Sequence, residues 1–327
     1  MYASIHSLPS RHRPGLFKGA DGCLRLLWRA LLYTLIQALI YSFIHFFLQN
    51  FLYLKLHIMD LIILPFDVLL HLTLVLLATY LFWRYVDKRP WRGWRQIGLI
   101  PLRSGLPFAL RGVLLISITA ALGYGSFVAL GWMHILSFNP TPIFFLALLI
   151  DMIPRLIDEP FCEEIAMRGY LYSTLNMGLP RWLAALAQVG CFTLFCALLT
   201  GFAAFSTAVQ GQPFPYPPGI IALYLLAIAL FGGILQLCVL NTSNLWMGIG
   251  LHLFAIEFPI MVITPHKTLF QIALIPLFNG VERFHVLVDI PEIGYFVLTL
   301  VVLLFIALRI RRINWQARLP ETAELSK

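Results

Sequence analysis

Residues 159–173 read EPFCEEIAMRGYLYS, and this stretch concentrates charge in a chain that otherwise avoids it. Three glutamates and Arg168 lie between positions 159 and 168, although only 12% of the 327 residues are charged and 60% are hydrophobic. An ionisable side chain is costly in an apolar environment and usually faces a cavity or a charged partner there. The stretch therefore predicts a polar site inside an apolar protein.

The apolar runs on both sides of this stretch are long enough to cross a lipid bilayer. A transmembrane helix needs about 20 mostly apolar residues, and such runs recur eight times. A water-soluble fold could not bury so much apolar surface behind so little polar cover, so the chain is predicted to be an all-α polytopic membrane protein. The predicted spans are about 28–50, 59–84, 107–134, 142–164, 183–205, 219–240, 245–263 and 292–310.

The Lys and Arg residues predict the orientation of these spans. Nineteen of the 23 fall on the side that holds both termini, and the opposite side has only Lys55, Lys267 and Arg283. Because basic loops stay in the cytoplasm, we expect a multi-pass protein of the cell (plasma) membrane with both termini cytoplasmic. This asymmetry and attraction to anionic lipid explain the net charge of +8, so no nucleic-acid partner is expected.

Three parts are predicted along the chain. Residues 1–141 form an N-terminal membrane region with three helices and a basic cytoplasmic loop. Residues 142–263 form a core that contains the charged stretch. Residues 264–327 contain an external loop, the last transmembrane helix and a basic cytoplasmic tail.

The spacing within the charged stretch predicts specific contacts. Glu164 and Arg168 are four residues apart with the acid first, which favours an ion pair on a helix. Glu163 points about 100° away from Glu164 and needs other partners, and Pro160 predicts a kink just before them. Adjacent carboxylates in a poorly hydrated site suit a general base or acid. Alternatively, the ion pair only ties helices together while Glu163 reaches cytoplasmic water.

A second region, GGILQLCVLNTSNLWMGIGLHLF at 232–254, places a lone histidine in a span. A short turn, NTSN, separates two apolar runs, and His252 follows about 12 Å into the next span. It enters from the same side as Glu163, so the two side chains could converge on one cavity. A lone histidine in a span can also be a hydrogen-bonded core residue, and both interpretations stay open.

Together the two regions resemble the CAAX-protease and bacteriocin-processing (CPBP) family of intramembrane proteases. EEIAMRG at 163–169 is similar to the family's EExxxR motif, and NLWMGIGLH at 244–252 is similar to the region that carries a motif histidine. The resemblance covers about 142–263 and implies a CPBP-like helical core there. It also implies an endopeptidase that hydrolyses a peptide bond near the cytoplasmic membrane face with a Glu-activated water.

The resemblance implies a role for each matching residue. Glu163 would activate the water, and His252 would stabilise the oxyanion, while Glu164 and Arg168 complete the first motif. Two positions depart from the family pattern. Phe192 is followed by Cys196 where an FxxxH motif has its histidine, so Cys196 carries over by position only. Ile256 stands where an HxxxN motif has its asparagine.

These departures keep a second function open, a degenerate homologue that binds a membrane peptide or protein as a scaffold or immunity-type protein. Losing one oxyanion donor lowers a rate by about 10²–10³, and losing the partner of a general base lowers it by about 10²–10⁴. Weak or absent activity is therefore expected. Two further alternatives are a Cys196 nucleophile with His252, and Glu257 in place of the missing asparagine.

The sequence gives little support for a cofactor. A HExxH motif is absent, which disfavours a zincin-type metalloprotease. If a divalent metal such as zinc binds, Glu163 and His252 are the expected ligands. The expected substrate or partner is a membrane-associated peptide or protein. The lipid bilayer is the other expected partner.

Overall fold

The computed structural model describes residues 25–48, 60–131, 133–138, 141–257, 266–267, 273–274, 278–282 and 290–318. Within these ranges the chain is mainly helical. The helices are α1 (Leu26–Ser42), α2 (Asp60–Leu81), α3 (Leu102–Ala129), α4 (Pro142–Leu156), α5 (Tyr172–Gly178), α6 (Arg181–Val209), α7 (Pro218–Thr242), α8 (Trp246–Glu257) and α9 (Ile290–Phe305). Two short antiparallel strand pairs accompany them, β1 (Met133–Phe138) with β4 (Phe278–Glu282), and β2 (His266–Lys267) with β3 (Ala273–Leu274).

Six helices in the described ranges are long and apolar enough to cross a membrane, which confirms an all-α polytopic membrane protein. They are Leu26–His45, Pro65–Val86, Trp94–Ala129, Arg181–Val209, Pro218–Thr242 and Glu292–Ile310. The other two predicted spans are also helical but differ in kind. The span at 142–164 is crowded with charged side chains, and the described part of the span at 245–263 is the 12-residue helix α8.

The helix that carries the charged stretch changes its winding. After α4, the chain forms a π-helical turn at Ile157–Phe161 and another at Glu164–Leu171 before α5 begins. Pro160 is buried within the first turn, and because proline has no N–H it cannot complete the α-helical hydrogen-bond pattern. The predicted disturbance thus takes the form of a π-helical turn, a feature that is frequent at functional sites.

Helices α3 and α8 cross at very short range because glycines line their contact. A Cβ atom on Gly112 would collide with the carbonyl oxygen of Met247, and one on Gly250 would collide with the carbonyl oxygen of Ala109. Small residues allow this close approach between membrane helices. Since α8 carries His252, the glycine contact fixes the position of that side chain.

Gly112→Ala is therefore expected to destabilise the protein by about 1–3 kcal/mol, the usual range for overpacking. Gly125→Ala, in the same helix, is the matched control because a Cβ atom there meets open space. Thermal unfolding of both purified variants in detergent measures the difference. Equal unfolding temperatures for the two variants would contradict the close α3–α8 contact.

The basic loop between α2 and α3 packs against one end of the helical bundle. The backbone N–H of Leu245 donates to the carbonyl of Gly98 (3.0 Å), and the Trp246 indole donates to the carbonyl of Ile100 (2.7 Å). These contacts hold the start of α8 beside the loop. We call this end of the bundle the basic-loop face.

Candidate active site

A buried ion pair organises the charged stretch. The Arg168 guanidinium donates from Nη1 to Glu164 Oε1 at 3.1 Å, and both side chains are fully buried. The guanidinium also stacks over the Phe192 ring, with 4.0 Å between Cζ and the ring centroid. Gly248 makes room for the carboxylate, because a Cβ atom there would lie 2.8 Å from Glu164 Oε2. The i, i+4 spacing read from the sequence thus corresponds to a direct contact.

His252 contacts both glutamates through different ring nitrogens. Its Nδ1 lies 3.2 Å from Glu164 Oε1, and its Nε2 lies 3.9 Å from Glu163 Oε2. The edge of the Phe231 ring supports the imidazole at a centroid distance of 4.9 Å. A neutral imidazole that donates from Nδ1 to Glu164 keeps Nε2 as an acceptor on the side of Glu163. Two adjacent glutamates whose carboxylates point in different directions can therefore approach the two nitrogens of one imidazole ring.

A cavity of about 380 Å³ lies on the Glu163 side of this ring. Glu163, Cys196 and His252 all line it, so the structure places these three sequence-predicted residues around one space. Ile256 lines it as well. Glu164 and Arg168 are not part of the cavity lining. Glu164 contacts His252, and Arg168 pairs with Glu164.

The cavity also contains polar side chains that the sequence interpretation missed. Glu159 and Tyr224 line the same space, as do Tyr41 and Glu292. Glu159 is four residues before Glu163, and this helical spacing is a signal that could have found it. Tyr224 lies in α7 without any motif around it, so only the packing of α7 against α6 brings it beside Cys196.

The cavity extends away from the basic-loop face. Tyr224 is near the start of α7, Glu292 is near the start of α9, and Ile256 is near the end of α8, whose other end contacts the basic loop. His252 is six residues into α8, about 9 Å from that end. With the basic loop in the cytoplasm, as the Lys and Arg residues predict, the cavity would extend away from the cytoplasmic face.

Glu257 does not replace the missing asparagine. Its carboxylate lies 2.6 Å from Nε of Arg155, and Arg155 also contacts Asp151 at 3.1 Å. Glu257 is not among the residues that line the cavity. Five residues after His252, it points to a different side of α8, so it balances the charge of the partly buried Arg155 instead.

Glu163 and His252 are the ligands that the sequence suggests for a metal. In the part of the chain that the structure describes, no group of three His, Cys, Asp or Glu side chains that includes them has donor atoms within 4.8 Å of one another. A zinc site normally takes at least three protein ligands.

Arg168→Ala is expected to destabilise the protein by about 3–5 kcal/mol, because it leaves the Glu164 carboxylate buried without its counter-charge. Arg309→Ala is the control, since Arg309 is exposed. Abundance in the membrane fraction and thermal unfolding in detergent measure the effect. An Arg168→Ala protein as abundant and stable as the control would show that the pair does not support the fold.

The segment that contains these residues is similar to a known protein family. Residues 142–255 match the family model described as type II CAAX prenyl endopeptidase Rce1-like. No curated protein matches the chain. The match is consistent with the CPBP resemblance of the EEIAMRG and NLWMGIGLH motifs, and its range includes Glu163, Cys196 and His252.

Proposed function

We propose that this protein is an intramembrane endopeptidase of the CPBP type, which hydrolyses a peptide bond with a water activated by Glu163. One observation carries the proposal. Glu163 and His252 face the same cavity with 3.9 Å between carboxylate oxygen and Nε2, inside the segment that matches a membrane endopeptidase family. The substrate would be a membrane-associated peptide or protein.

The spacing of Glu163 and His252 suits a shared water. Two groups separated by more than 3.5 Å are commonly bridged by one water molecule. Glu163 would accept a proton from this water as its oxygen attacks the carbonyl carbon of the substrate. The same carboxylic acid would then protonate the leaving nitrogen, and the C–N bond would break.

The remaining residues would position the reacting groups or stabilise the oxyanion. Glu164 accepts from Nδ1 of His252 and directs Nε2 toward the reacting carbonyl. Once the ring is an imidazolium, with a proton on both nitrogens, Nε2 would donate to the oxyanion. Arg168 keeps Glu164 in place. Ile256 has no donor, so the Tyr224 hydroxyl, in the wall of the same cavity, is the candidate for the missing oxyanion contact.

For the location, we keep the orientation that the basic residues favour, with both termini cytoplasmic in the cell membrane. The reacting groups would then lie about 9 Å below the cytoplasmic face, by the position of His252 in α8. The rest of the cavity would extend toward the opposite leaflet. A substrate would therefore approach from within the membrane and be cut in its cytoplasmic half.

A specific observation also favours a second candidate function. Cys196 and Ile256 both line the cavity, so the two departures from the family pattern lie in the site itself. A protein with this wall could hold a membrane peptide without cutting it. In that case the protein would be a binding protein or scaffold.

The test uses the full-length protein in liposomes with single-span membrane peptides and CAAX peptides, with and without a prenyl group. Mass spectrometry identifies the products. Cleavage at a defined bond by the natural protein, absent in Glu163→Gln, is the expected result. Equal binding by both proteins with no product from either would favour the binding function. Cleavage that survives Glu163→Gln would refute the proposed mechanism.

A further inference from the structure

Three metal-ligating side chains converge behind the candidate active site. His45 follows α1, His71 lies in α2, and Asp158 lies in the π-helical turn after α4. His71 Nδ1 is 2.9 Å from Asp158 Oδ1, and His45 Nε2 is 3.6 Å from Asp158 Oδ2. One donor atom from each residue lies within 4.8 Å of the other two. Three separate helical segments thus direct ligand atoms at one point.

We propose that His45, His71 and Asp158 bind a divalent transition metal ion, with Zn²⁺ as the ion that the donor set fits best. Two imidazole nitrogens and one carboxylate suit zinc, whereas Mg²⁺ and Ca²⁺ prefer oxygen ligands alone. Three protein ligands leave a fourth tetrahedral position for a water molecule. This inference goes beyond the proposed peptidase function and does not depend on it.

The geometry requires little movement to hold the ion. Donor atoms about 2.0–2.2 Å from a tetrahedral zinc lie roughly 3.3–3.6 Å apart. Asp158 lies 2.9 Å from His71 Nδ1 through Oδ1 and 3.6 Å from His45 Nε2 through Oδ2. The two imidazole rings are nearly perpendicular, at 89°, with centroids 5.5 Å apart. They can therefore approach one ion from different directions without a steric clash.

The charges also favour an ion over a simple salt bridge. A salt bridge to Asp158 needs one protonated histidine, yet two histidines approach its two oxygens. Two protonated rings whose centroids are only 5.5 Å apart would repel each other, which is unfavourable. Neutral histidines and one carboxylate around a divalent cation avoid repulsion between the rings.

The site is separate from the candidate active-site cavity. The Tyr41 ring packs against His45, at 4.1 Å between centroids, and against His71, at 5.4 Å. Tyr41 itself lines the cavity, so it stands between the two sites. A bound ion would tie α1 and α2 to the helix that carries Glu163, five residues after Asp158.

Elemental analysis of the full-length protein, purified without chelators and dialysed against Zn²⁺, tests the proposal. About one Zn²⁺ per chain is expected, with a fall to near zero in His71→Ala. His252→Ala is the matched control and should retain the ion, which separates this site from the glutamate cavity. Retention by His71→Ala together with loss by His252→Ala would place the metal at Glu163 and overturn the proposal.

A second measurement covers the case in which His71→Ala does not fold. Co²⁺ added to the natural protein should give the absorption of a four-coordinate ion with nitrogen ligands, and Asp158→Asn and His45→Ala should weaken Co²⁺ binding at least tenfold. Failure of the natural protein to take up either Zn²⁺ or Co²⁺ would refute the metal site.

Discussion

Cys196→His combined with Ile256→Asn is expected to raise the rate of peptide cleavage by at least about 10². The asparagine would supply an oxyanion donor, worth about 10²–10³ in rate, and the histidine would supply a partner for the Glu163 base, worth about 10²–10⁴. Both positions line the cavity that Glu163 and His252 face. The new side chains would therefore enter the reacting space directly.

The gain can be assigned to the site by two comparisons. Adding Glu163→Gln to the double variant should remove the gain, because the amide keeps the shape but cannot act as a base. Cys191→His, at a cysteine of the same helix outside the cavity lining, should give no gain. If the natural protein cleaves fast and the double variant is slower, the site uses Cys196 itself, and the assigned roles are wrong.

His252→Ala is expected to lower cleavage by about 10²–10⁴, the usual contribution of a positioned acid–base side chain. The imidazole lies 3.9 Å from the Glu163 carboxylate and 3.2 Å from the Glu164 carboxylate. If the natural protein is too slow to measure, the more active double variant serves as the parent. Thermal unfolding shows whether each variant retains its fold.

Glu164→Gln tests whether that residue acts through His252. Alone it should lower the rate, because the imidazole loses the carboxylate that orients Nδ1. In a protein that already carries His252→Ala it should change the rate little, since residues that act as a unit are not additive. Fully additive losses would mean that Glu164 contributes independently of the histidine.

The sequence predicts the helices of this protein well, because a bilayer imposes a length and an apolar character on each span. Six of the eight predicted runs meet both conditions in the structure. The spans at 142–164 and 245–263 depart from the common form because they carry the site. Charged groups break the apolar pattern of the first, and α8 is short within the described residues.

Parts of the site follow from the sequence as well. The Glu164–Arg168 contact comes from helical spacing, and the approach of His252 to Glu163 was expected from their similar depth. Tyr224, His45 and His71 could not be anticipated in the same way. His71 and Asp158 are 87 residues apart, and only the packing of three helical segments brings His45 to them.

The π-helical turn at Ile157–Phe161 gives the chain an unusual route for evolutionary change. Such a turn contains one residue more than the α-helical turn that it replaces. Loss of a single codon there could restore α-helical winding without interrupting the helix, and because the wide turn already accommodates its extra residue, the side chains on either side would keep nearly the same faces. Natural selection could thus remove one acidic side chain of the turn, such as Glu159, through one small deletion, while α4 and Glu163 keep their neighbours.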